Sequence, residues 1–117
     1  MSLMLLQLSY AVLGGIMNIK SLLHYRNTAR YYTPTGPVSG LMMMAMYALC
    51  VPLQRLEWQL PFQVMMVTFV VLLGAGGVLK HLVHRPTTDY ASATTRWAAI
   101  MINGYGVALS VYALAGN

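Results

Sequence analysis

The run Phe62 to Val83, FQVMMVTFVVLLGAGGVLKHLV, decides how this chain must be read. It holds no acid, and its one lysine, Lys80, comes only in the last turn. A helix needs about 20 mostly apolar residues to cross the hydrocarbon core of a bilayer. This run supplies them, and lipid is the solvent that suits such a surface.

The rest of the chain agrees. Of its 117 residues, 58% are hydrophobic and 8% are charged, against about 25% charged in a soluble domain. Two acids and seven Lys/Arg cannot cover a globule of this size. The length suits one domain. The net charge of +5 does not point to nucleic acid. The cations are separated by apolar spans and form no stripe interleaved with aromatic stacking platforms. At a membrane such charges orient the protein and attract anionic headgroups. Cys50 is the only cysteine, so no internal disulfide and no CxxC motif exist.

Three more segments reach or approach spanning length. The expected spans are about 3–23, 38–53, 62–83 and 97–115, joined by HYRNTARYYTPTGP, QRLEWQLP and HRPTTDYASATTR. Each connection holds a proline and polar residues, as helix breaks require. The first span has no basic stretch before it and no small-residue cleavage site after it. It is expected to be a retained helix and not a signal peptide. The second is the shortest and has Pro52 near its end, so a re-entrant pair is its alternative. The expected fold is an all-α, single-domain integral membrane protein: four transmembrane helices in an up-down bundle.

Orientation follows from Lys and Arg. Lys20, Arg26 and Arg30 flank the first loop, and Lys80, Arg85 and Arg96 the third; Arg55, offset by Glu57, stands alone in the second. Loops 24–37 and 84–96 are therefore expected on the cytoplasmic side of a bacterial inner membrane, with both termini outside. In a mitochondrial inner membrane they would face the matrix. Tyr25, Tyr31, Tyr32, Tyr90 and Trp97 suit the basic headgroup level, and Trp58, Phe62 and Tyr112 the opposite one.

One pattern occurs twice. LGGIMNIKSLLH (Leu13–His24) and LGAGGVLKHLVH (Leu73–His84) share L-G-x5-K-x-L-x-H. A parallel duplication of a two-helix unit would produce it, and so would two helix ends whose cations snorkel to one interface. Lys20 and His24 stand at i, i+4, as do Lys80 and His84, so each pair shares a face. Together they form a candidate site for a lipid phosphate or a quinone carbonyl. His24 and His84 as axial haem ligands is the weaker alternative, because both lie near water and beside positive charge.

Met42, Met46 and Cys50 form an i, i+4, i+8 stripe of soft ligands that suits Cu(I). Met17, Met65, Met66 and Met101 could join it where helices converge. The competing explanation is packing, since Met fills irregular gaps between helices. Ala11 and Gly15, Gly104 and Ala108, and the run Gly74, Gly76 and Gly77 are small enough for close helix approach. Their expected roles are packing within the bundle or docking onto helices of another subunit. Asn18 and Asn103 are expected to make interhelical amide bonds worth about 0.6 kcal/mol each. Thr68 and Ser110 are expected to bond their own helix.

No Asp, Glu or Arg lies inside a span, where proton relays and ion sites nearly always need one. No Ser-His-Asp, HExxH or phosphate-loop pattern appears, and enzymatic activity is not expected. The expected function is a non-catalytic accessory subunit of a larger membrane complex, of respiratory or photosynthetic type. Its partners would be other integral subunits and bound lipids, with no cofactor of its own. The alternatives are a small dimeric transporter or channel using the two Asn, Tyr47 and Tyr105, and a redox protein binding quinone, haem or copper. A first helix ending in Lys20, followed by TARYYTPTGP before the second, looks like the layout of DoxX-type four-helix proteins. That likeness covers part of the chain and carries no residue role.

Overall fold

The computed structural model describes residues 2–116. Four helices order it: α1 (Leu3–Thr28), α2 (Pro37–Arg55), α3 (Gln59–Val83) and α4 (Ala93–Ala115). Each is long and apolar enough to cross a membrane, and the described residues hold no strand. The molecule measures 46 × 26 × 23 Å. Its long axis matches the roughly 40–45 Å of a bilayer with its headgroups.

The helix ends explain where the expected spans were short. Ser2 caps α1 by accepting a hydrogen bond from the Leu5 N–H at 3.3 Å. The helix runs past Leu23 to Thr28 because HYRNT contains no breaker. It stops at Ala29, which turns left-handed at φ 57° and donates its N–H to the Tyr25 carbonyl. A side chain in that conformation costs about 1–2 kcal/mol. Ala29→Gly is therefore expected to raise the melting temperature in detergent; an unchanged or lower value would show that the loop contacts set this turn instead.

Pro37 starts α2 with a fixed φ. From Val51 the coil tightens to a 3-10 helix through Arg55, where Pro52 has no N–H to give. The tighter coil rises further per residue, and the weakest expected span becomes one helix of 19 residues. No re-entrant pair forms. α4 begins at Ala93 and not near Trp97, because Ser92 and Thr95 form a reciprocal capping box.

α3 contains a π-helical turn over Gly74–Leu79. Its buried face runs Phe62, Met66, Phe69, Leu73, Gly77, His81. The last three steps are each of four residues and overshoot the 3.6-residue α turn. The wider π turn absorbs the overshoot. It brings His81 onto the inner face while Lys80 stays exposed.

α1 packs against α2 and α4, and α3 against α4; α2 and α3 meet mainly toward the Glu57 end, where Val51–Arg55 packs on α3, and little along Pro37–Cys50. The core lies toward the Glu57 end. Tyr10, Tyr47, Phe62 and Met66 are fully buried there, and the Tyr47 ring makes edge contacts at 4.9 Å with both Tyr10 and Phe69. Phe62, expected at the headgroup level, is part of this core. A polar chain stitches all four helices together. Gln54 donates to Gln7 Oε1 at 3.2 Å, and Gln7 Nε2 lies 3.1 Å from the Tyr47 hydroxyl and 3.4 Å from Met66 Sδ. The Tyr47 hydroxyl meets Ser110 Oγ at 3.3 Å. Ser110 and Thr68 also bond their own helices, at 2.8 Å to the Gly106 and Val64 carbonyls.

The close approaches use mostly other glycines than expected. Tyr10 lies on Gly106, Met44 on Gly14, Asn18 on Gly40 and Asn103 on Gly77. A β-carbon added at Gly15, Gly74, Gly76 or Gly104 would meet nothing within 4 Å. Ala11 is buried and Ala108 exposed. Gly77 is thus the member of the expected set seated tightly against a neighbouring helix.

Candidate functional site: a polar cavity at the basic end

The two basic-side loops form one surface. Tyr32 donates its N–H to Ser21 Oγ at 2.9 Å, and its carbonyl accepts from the Ala91 N–H at 3.0 Å and from Thr95 Oγ1 at 3.1 Å. The Arg30 guanidinium bonds the Thr88 carbonyl. Arg96 donates to the carbonyls of His81 and Leu82 at 3.0 and 2.8 Å. These carbonyls are left open at the end of α3, where a cation belongs.

Lys20 and Lys80 are exposed. The His24 ring lies 4.9 Å from the Tyr32 ring. His84 Nε2 is 2.7 Å from Asp89 Oδ2, and its ring packs edge-on to Tyr90 at 5.8 Å. Among the described residues, no hydrogen bond or ion pair joins any two of Lys20, His24, Lys80 and His84. The two copies of the repeat do end in the same device, a histidine against a loop tyrosine. Ser21 and His81, equivalent positions in the two copies, turn inward and hold loop residues.

Beneath this surface lies a cavity of about 240 Å³ between the four helices. Asn18, Ser21, Ser39, His81 and Asn103 supply polar walls, and Tyr32, Thr33 and Thr35 line its loop side. No Asp, Glu, Lys or Arg lines it. Asn18 and Asn103 do not bond across helices as expected. Each donates to the carbonyl one turn back on its own helix, Asn18 to Gly14 at 2.7 Å and Asn103 to Ala99 at 2.8 Å. Each meets the neighbouring helix by packing on a glycine instead.

Two buried polar atoms on cavity-lining residues have no partner among the described residues. The Tyr10 hydroxyl and Thr35 Oγ1 are the buried side-chain oxygens without a hydrogen bond among the described residues. Leaving such a group unmade costs about 1–3 kcal/mol. His81 is 3% exposed. Its Nδ1 lies 2.7 Å from the Tyr90 hydroxyl, within hydrogen-bond reach. Burial raises the Tyr90 phenol above its ordinary pKa, with Arg96 opposing. At neutral pH Tyr90 therefore keeps its proton.

The cavity has an apolar neighbour. Ser39, Met43 and Leu72 belong both to it and to an apolar crevice of about 230 Å³ between α2 and α3, which Met42, Met46 and Met65 also line. Two members of the suggested copper stripe thus sit in this crevice. Cys50 lines neither space, Met66 is in the core, Met101 faces outward and Met17 lines the polar cavity. No three of His, Cys, Asp and Glu gather among the described residues.

Sequence reasoning missed Gln7, Tyr10 and His81. Gln7 sits in the first span, one turn from Tyr10 and Ala11 on the same face. His81 continues the face of Leu73 and Gly77 in steps of four, a pattern visible before folding. Tyr10 gave no signal, because its role depends on Gly106 across the bundle.

The fold and the cavity together define a class: a small, all-helical, multi-pass membrane protein with a cavity between its helices that no Asp, Glu, Lys or Arg lines. No protein-family model, no curated protein and no solved structure matches the chain.

Proposed function

We propose that this chain is a non-catalytic membrane subunit that holds the polar head of a lipid-soluble molecule within its own bundle. One observation carries the reading. A cavity that no Asp, Glu, Lys or Arg lines, with Asn18, Ser21, His81 and Asn103 among otherwise mostly apolar walls and with unpartnered buried hydroxyls on Tyr10 and Thr35, adjoins an apolar crevice between α2 and α3. An amphipathic molecule matches both parts: its head fills the polar part and its chain the crevice. The packed core of Tyr10, Tyr47, Phe62 and Met66 blocks the other half of the bundle, which favours holding over conduction.

Ser39 is exposed and lies where cavity and crevice join. Ser39→Trp should therefore close the entrance without disturbing the core. Native mass spectrometry of the purified chain is expected to show a retained small molecule in the wild type and none in Ser39→Trp. A folded wild type that retains nothing would overturn the reading.

In this reading the helices alternate direction. Loops 24–37 and 84–96 face the bacterial cytoplasm, or the mitochondrial matrix, because six of the seven Lys/Arg gather there. A reporter fused after Asn117 is expected to signal from the opposite compartment; a cytoplasmic signal would sink this topology.

A wider role as an accessory subunit of a respiratory or photosynthetic complex has its own support. Gly15, Gly74 and Gly104 leave backbone open on the bundle, where helices of another integral subunit could approach closely. Migration with a large complex in mild detergent is expected; a free monomer would exclude it.

A further inference from the structure

Resting on that reading, we propose the chemical class of the occupant: a compact, uncharged head that hydrogen-bonds at both ends, carried on a single hydrocarbon chain. A quinone ring on an isoprenoid chain and a glycerol monoester share this chemistry.

The volume sets the size of the head. About 240 Å³ falls below the roughly 300–1,000 Å³ of pockets that enclose whole drug-sized ligands. It takes a head and not a whole lipid. Charge sets its character. No Asp, Glu, Lys or Arg lines the cavity, and Lys20 and Lys80 are exposed outside its lining. A phosphate there would lose its water without gaining a counter-charge, which is prohibitive. The unpartnered atoms set its polarity. Tyr10 lies two turns deeper than Asn18 on α1, and its hydroxyl is buried without a partner among the described residues. Thr35, on the loop side of the cavity, holds the other buried hydroxyl without a partner among the described residues. A head with one polar group at each end bonds both. The chain count comes from the crevice, whose about 230 Å³ between Met-lined walls adapts to one flexible chain.

The test measures ligand-induced thermal stabilisation of the full chain, freed of lipid in detergent. The probes are a short-chain ubiquinone, a monoacylglycerol and the anionic two-chain phosphatidylglycerol. One of the first two is expected to bind at least about tenfold more tightly than phosphatidylglycerol, and which one wins identifies the head. Tyr10→Phe and Thr35→Val, both nearly isosteric, are each expected to weaken that probe about tenfold while the proteins stay folded. Preference for phosphatidylglycerol would overturn this assignment and leave the holding function intact. No stabilisation by any probe, with Ser39→Trp indistinguishable from wild type, would overturn both.

Discussion

Gly106→Ala is expected to destabilise the bundle by about 1–3 kcal/mol, the range for forcing a methyl group into a packed core. The added β-carbon would stand 2.5 Å from Cζ and 2.6 Å from Cε1 of Tyr10. That ring cannot step aside. It is fully buried and held edge-on to Tyr47 at 4.9 Å, and Tyr47 in turn is bonded to Gln7 and Ser110. The relevant control lies two residues earlier. A β-carbon at Gly104 meets nothing within 4 Å, so Gly104→Ala should be neutral or gain up to about 1 kcal/mol from helix propensity. Unfolding both variants by SDS titration of mixed micelles measures the difference. Equal stabilities would mean that the Tyr10 seat on Gly106 does not hold α1 to α4.

That contrast shows what a sequence can and cannot reveal here. Hydropathy located all four helices, because the solvent acts on every outward residue at once and the signal adds along the chain. The small-x3-small pattern also identified α4 as a close-packing helix. It chose Gly104 and Ala108, however, when the face in contact carries Gly106 and Ser110. A spacing of four marks a face only relative to itself. Which face turns inward depends on a partner 96 positions away, Tyr10, and no local pattern reports that distance. The same reason explains the basic end. Lys20, His24, Lys80 and His84 stood out because they are rare and repeated. In a helix, however, the residue beside an exposed lysine lies about 100° around, and that neighbour is the one that faces the cavity. Ser21 and His81 therefore take the inward positions that the repeat seemed to reserve for its cations. The π turn at Gly74–Leu79 adds a further rotation that an ideal helical wheel omits. The cavity was not legible at all, since it forms where α2 and α3, in contact toward the Glu57 end, part toward the basic loops.

Tyr10→Phe separates a structural hydroxyl from a binding one, because the two roles predict opposite signs. The Tyr10 hydroxyl is buried without a partner among the described residues. Removing it deletes an unmet polar group and leaves the ring contacts with Tyr47 and Gly106 in place. The lipid-stripped variant should therefore be more stable than the wild type, by about 1–3 kcal/mol. With the retained molecule bound the order should reverse. The wild type gains the stabilisation that binding confers, and the variant, lacking one hydrogen bond to the head, gains less of it. Melting temperatures measured before and after delipidation, on both proteins, read the sign directly. A variant less stable than wild type in both states would show that the hydroxyl serves the bundle itself, and the cavity would lose its deepest contact. A crossover would mean that the fold keeps a costly group in its core because a bound head satisfies it.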